Sequence, residues 1–201
     1  MGKNRLEAFS DGVLAIIITI MVLELRAPHG DTFAALGALL PTFVSYALSF
    51  IYIAIYWNNH HHMLHAAKKV NGPILWANTH LLFWLSLVPF ATAWMGGNHF
   101  AARPVALYGV VLLMAALAYH LLSQCLIHYH GRGSLLETAV GGDFKGKASI
   151  VIYAAAVLLS FANRWVGFAL YWVVALIWLV PDRRVERILA HQDSRGDSPL
   201  P

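Results

Sequence analysis

Long hydrophobic runs separated by short polar gaps dominate this chain. Six runs stand out, at residues 9–25, 33–57, 74–95, 104–127, 147–163 and 166–180. A helix that crosses a bilayer needs about 20 apolar residues, with a range of roughly 17–25. The first four runs meet that length. The last two are short and joined only by Arg164 and Trp165, which predicts a tight hairpin of tilted or shallow helices. Helix-ending residues occupy the gaps. Pro28, Gly30 and Asp31 follow the first run, Asn71, Gly72 and Pro73 precede the third, and Gly96, Gly97 and Asn98 follow it. Gly131, Gly133, Gly141 and Gly142 lie in the longest gap. The pattern predicts an all-α membrane protein with six transmembrane helices over residues 1–182. A polar, flexible, cytoplasmic tail is expected over 183–201. No run reads as a Gly/Pro-broken span with a midplane substrate site, which argues against a secondary transporter.

Composition agrees with the pattern. Of 201 residues, 59% are hydrophobic and 12% are charged. Soluble domains carry about a quarter of their residues as charges, so this chain has too few to cover a water-facing surface. The net charge of +4 does not mark a nucleic-acid face, because the basic residues sit in the gaps between runs. Their placement reports topology instead. In a six-span arrangement, 11 of the 14 lysines and arginines fall on one side, and only Arg26, Arg103 and Arg164 fall on the other. Both termini are therefore expected in the cytoplasm of a multi-pass protein. Lys3 and Arg5 before an apolar run could belong to a signal peptide. Glu7 and Asp11 interrupt that basic region and no small-residue cleavage site follows Leu25, so a retained first span is expected. Cys125, the single cysteine, falls inside an apolar run and reads as a small core residue.

The first run carries the most information. On a helix, Phe9, Ile16 and Leu23 align with a drift of about 20° per heptad. Thr19 and Ile20 flank the same stripe, and Asp11 lies about 140° from Ile16. A stripe facing a central axis would turn Asp11 toward neighbouring helices of its own subunit. An ionisable group near hydrocarbon needs a partner, and Trp57, His60 and Asn78 are the candidates at its depth. Alternatively, Ser10 or Asp11 caps the helix start. The stripe itself could equally face lipid or a packed core.

Arg5-x-x-x-Phe9-Ser10-Asp11 at the start of a first span resembles the signature of the transmembrane protein 175 family of potassium channels. Trp57-Asn58-Asn59-His60 is similar to that family's Trp-x-x-His, and Asn78 with the apolar run to Pro89 and Phe90 resembles its third helix. The likeness covers the first half of the chain with specific motifs. The second half matches in helix number and hydrophobicity alone.

The resemblance implies a six-helix subunit, a homotetramer and a pore lined by the first helix. It implies no carbonyl-lined filter loop, and the chain has no Thr-Val-Gly-Tyr-Gly run. By position it implies a hydrophobic gate at Ile16, Ile20 and Leu23, with Thr19 as a hydroxyl layer. Arg5, Phe9, Ser10, Asp11, Trp57, His60 and Asn78 would form a polar network within the subunit. Glu24 would stand at the outer mouth, or else pair with Arg26 at the interface. Some relatives have serine where this chain has Ala15, so only weak selectivity for potassium is expected. The expected function is a passive, potassium-favouring cation channel of a bacterial plasma membrane, with potassium ions as permeant species and no cofactor or metal. Its partners would be monovalent cations and membrane lipid, and no nucleic acid.

Other constellations are weaker. His60, His61, His62 and His65 have metal-like helical spacing but no carboxylate or cysteine beside them. His80 and His120 lie within spans and could ligate a haem in a membrane redox protein. A proton-leak pore on the same scaffold, relaying through His60 or Asp11, is the nearer alternative. The sequence has no Gly-x-Ser-x-Gly, Cys-x-x-Cys or phosphate loop, so no enzyme is expected.

Overall fold

The computed structural model describes residues 2–131 and 144–179. The polar tail, the turn glycines at 133, 141 and 142, and five of the basic residues used for topology lie outside them. The described residues form eight helices: α1 (Lys3–Leu23), α2 (Phe33–Gly37), α3 (Leu40–Ala66), α4 (Gly72–Ser86), α5 (Val88–Gly97), α6 (Ala102–His130), α7 (Phe144–Ala162) and α8 (Arg164–Leu179). With α4 and α5 taken as one rod, five are long and apolar enough to cross a membrane, and α8 is shorter. The fold is all-α, as the run pattern predicts.

Two boundaries depart from the hydropathy reading. The second run, 33–57, does not coincide with its helix. A separate turn, α2, occupies its beginning, with Thr32 Oγ1 accepting from the Ala35 N–H at 3.2 Å. The long helix starts at Leu40 with Pro41 in its first turn, where a missing N–H costs nothing. It then runs nine residues past Trp57 through the histidines to Ala66. Hydropathy locates the oily part of a chain; caps and prolines set the ends of helices. The expectation of unbroken spans also fails at one place. Pro89 cannot donate to the carbonyl four residues earlier, and the third span breaks at Leu87 between α4 and α5. The break is a single residue whose N–H still reaches the Trp84 carbonyl at 3.2 Å, so it opens no unwound binding site. At the start of α4 the sequence cue holds. Asn71 Oδ1 accepts from the Ile74 N–H at 3.1 Å to cap α4. The joint between the last two helices differs from the expected Arg164–Trp165, which both belong to α8: Asn163 alone separates α7 from α8, its Oδ1 accepting from the Trp165 N–H at 3.0 Å.

The core is threaded by hydroxyls that satisfy one another. Thr92 donates to the Val88 carbonyl at 2.7 Å. Ser49 lies 2.6 Å from Thr92 and 3.0 Å from the Tyr108 hydroxyl, linking α3, α5 and α6. Tyr52 donates to the Tyr171 carbonyl at 2.6 Å, and Tyr171 donates to the Val105 carbonyl at 3.1 Å. Among the described residues no buried side-chain polar atom lacks a partner, as a medium without water requires.

Gly109 of α6 lets Tyr171 approach. A Cβ there would collide with the Tyr171 hydroxyl and lie 2.8 Å from Val157 Cγ2. Tyr171 is fully buried and tied to Val105, so it has little room to yield. Gly109→Ala is therefore expected to destabilise the bundle by about 1–3 kcal/mol through overpacking. Thermal unfolding in detergent checks this, and an unchanged midpoint would show that the α6–α8 contact is loose.

Candidate pore-lining helix and its anchor

One face of α1 is packed. Leu6, Ser10, Leu14, Ile17 and Met21 are buried at spacings of three and four, which makes a stripe against α3, α4 and α5. The opposite face is bare and mostly apolar. Phe9, Ile16, Ile20 and Leu23 are exposed, Ile16 at 59% and Leu23 at 73%. Thr19 is exposed among them, and its hydroxyl donates to the Ala15 carbonyl at 2.8 Å. That bond spends the proton inward and leaves the oxygen free to accept from outside. Ile16 to Leu23 spans about 10 Å along the axis at 1.5 Å per residue.

The candidate network resolves into two parts. The buried part centres on Ser10. His60 Nε2 lies 2.7 Å from Asn78 Oδ1, Asn78 Nδ2 donates to Ser10 Oγ at 3.0 Å, and Ser10 donates to the Leu6 carbonyl at 2.8 Å. An amide oxygen only accepts, so His60 carries its proton on Nε2. Every member is satisfied, and the chain joins α1, α3 and α4. The exposed part is a single pair, in which Trp57 Nε1 donates to Asp11 Oδ1 at 3.1 Å. The Trp57 ring also stacks on His61 at 6.0 Å.

The remaining named residues lie elsewhere. Phe9 is exposed and outside both parts. Arg5 is exposed and makes no side-chain hydrogen bond or ion pair among the described residues; the ion pair there is Lys3 with Glu7 at 3.7 Å. Ser10 and Asp11 do not cap α1, which begins at Lys3, two turns earlier. Glu24 ends the helix, exposed, with no ion pair to Arg26. His60, His61, His62 and His65 are not joined by carboxylates or cysteine into a metal-binding group among the described residues. His80 and His120 are not brought together. His80 is exposed on α4, accepting from Trp84, whereas His120 lines a cavity of about 40 Å³ with Tyr52, Tyr56, Tyr119 and Trp178. Nothing in the sequence pattern signals that cavity. The sequence reading also put Asp11 at the centre where the structure puts Ser10. The signal was available, since Ser10 falls on the Leu6–Leu14 stripe.

A bundle of membrane-length helices with one packed and one bare face on its first span defines a multi-span membrane protein. Comparison with known proteins narrows this class to an ion channel. The family profile described as endosomal/lysosomal potassium channel TMEM175 matches residues 5–89. A potassium channel of Chryseobacterium sp. (strain P1-3) is 55% identical over 94% of this chain and 98% of its own. The crystal structure of a lysosomal potassium-selective channel TMEM175 homolog from Chamaesiphon minutus superposes with a TM-score of 0.78. It is 26% identical and covers 89% of this chain and 96% of that one. The endosomal/lysosomal proton channel TMEM175 of Mus musculus is 27% identical over 81% of this chain and 36% of its own length. The chain belongs to the TMEM175 family, and it is an ion channel rather than an enzyme.

Proposed function

We propose that four copies of this chain surround a passive, weakly selective, potassium-favouring pore in a bacterial plasma membrane. In this reading six spans cross the bilayer, both termini are cytoplasmic, and α1 lines the axis. Ile16, Ile20 and Leu23 form the hydrophobic constriction and gate. Thr19 contributes a ring of oxygens, and Glu24 collects cations at the outer mouth. Ser10, Asp11, Trp57, His60 and Asn78 hold α1 in its orientation, most directly through the Ser10–Asn78–His60 bonds, while Arg5 and Phe9 stay outside that network.

The observation that carries this reading is the bare face of α1. A helix anchored by polar bonds on one side exposes isoleucine and leucine on the other, with one outward-facing hydroxyl oxygen among them. Apolar necks gate by dewetting, and oxygen rings replace part of a cation's hydration shell. The names of the bacterial relatives agree. Purified protein in liposomes should carry potassium down its gradient, and sodium less well. A tight, intact preparation that passes no cation would end the proposal.

The name of the mouse relative favours one second reading, conduction of protons on the same scaffold. It would relay protons through Asp11 or His60. A reversal potential that follows a pH gradient and ignores a potassium gradient would select it.

A further inference from the structure

Two polar groups on the outer surface of the subunit have unmet capacity at the same depth. The first is His80 on the exposed face of α4. Its Nε2 accepts from Trp84 Nε1 at 2.9 Å. An accepting Nε2 places the ring proton on Nδ1, and among the described residues nothing accepts it. One turn nearer the helix start, Trp76 is 77% exposed and suits the interfacial belt. His80 is therefore a turn deeper, where a polar group facing lipid is costly and partners are the rule. The second group is Asp11. Trp57 donates to its Oδ1, and no other donor reaches the carboxylate among the described residues.

The depth match follows from the bonds. Lys3 Nζ donates to the His65 carbonyl at 3.2 Å, so α1 begins where α3 ends. The His60–Asn78 contact likewise sets the end of α3 beside the start of α4. Helices α1 and α4 therefore run the same way. The Asn78–Ser10 bond levels them. Asp11 follows Ser10 by one residue and His80 follows Asn78 by two, a height difference of about 1.5 Å.

Their directions differ in a useful way. On α1, Asp11 lies about 100° from Ser10, the residue facing α4. On α4, His80 lies about 160° from Asn78, the residue facing α1. The carboxylate thus leaves α1 to one side of the α4 contact, beside Trp57 of α3, and the imidazole leaves on the far side of α4. In a closed ring each subunit places one flank against the opposite flank of the next. We propose that the Nδ1–H of His80 in one subunit donates to Asp11 of the adjacent subunit. The contact couples each ring interface to the Asp11–Trp57 pair that steadies α1. This inference rests on the ring-shaped channel reading above.

Cross-linking tests it without touching either residue. Ala15 and Phe83 lie one turn further along the same two flanks. In a Cys125→Ser background, Ala15→Cys with Phe83→Cys should give, on oxidation in membranes, a ladder of dimer, trimer and tetramer. Either cysteine alone, with one thiol per subunit, should give no species beyond a dimer. Native mass spectrometry of the same protein reports the assembly independently. An intact oligomer with no ladder overturns the contact and leaves the channel reading standing; absence of any oligomer overturns both. A second pair of variants addresses the bond itself. His80→Leu should weaken subunit association by roughly three- to tenfold per contact, with helix content unchanged. His80→Asn keeps a donor and should largely restore association. Equal weakening in both variants, or none in either, overturns the proposed bond.

Discussion

Ile16→Asn should raise potassium flux through the reconstituted protein by about tenfold or more. In the proposed tetramer, four Ile16 side chains around the shared axis would make a neck that water leaves readily, and an ion cannot follow without its hydration. Asparagine has similar bulk and a polar amide, so it re-wets the neck without obstructing it. Each 1.4 kcal/mol removed from a conduction barrier multiplies a rate about tenfold. Four amides replacing four apolar groups should lower the barrier by at least that much. Two controls make the result specific. Ile16→Val keeps the site apolar and should change flux only modestly. Ile17→Asn, one position on, falls on the packed face where the parent residue is 3% exposed, and should reduce folded yield instead. Planar-bilayer recordings of assembled protein measure the first two. If currents through Ile16→Asn match the parent, Ile16 is not the barrier.

The contrast between Ile16 and Ile17 also shows how far a single chain can be read. Helical periodicity was enough to separate the bare stripe from the packed one, because burial within one helix obeys its own geometry. The six runs gave the helix class for the same reason, since a bilayer imposes length and composition together. Contacts between helices were less legible. Asp11, Trp57, His60 and Asn78 could be grouped by depth, but not paired. Depth alone cannot say that Asn78 bonds Ser10 while Trp57 takes Asp11. That choice depends on rotation of three helices about their axes, which is fixed by packing across the whole core. The tyrosine hydroxyls were invisible for a related reason. Tyr52 and Tyr171 are 119 positions apart, and nothing local announces their bond. The break at Leu87 was legible in principle, because Pro89 was in plain view.

Asn78→Leu tests whether the buried bonds are what hold α1 in place. Leucine is close in volume and suits a site of zero exposure, so the change mainly removes polarity. It deletes the bond to Ser10 and strands the His60 Nε2–H, which is buried and has lost its acceptor. Ser10 is less affected, because it still donates to the Leu6 carbonyl. A stranded buried donor costs about 1–3 kcal/mol. For a chain of this size that corresponds to a fall in unfolding midpoint of roughly 3–10 °C. Asp11→Ala is the comparison, since it removes one exposed bond and should cost less within the subunit. Ion preference in surviving Asn78→Leu channels should match the parent, because the Ile16–Leu23 face keeps its chemistry. Thermal unfolding and reversal potentials together decide the matter. Full stability with an altered potassium-to-sodium ratio would move Asn78 from anchor to conduction path. Full stability with unaltered conduction would mean that apolar packing of Leu6, Leu14 and Ile17 orients α1 without polar help.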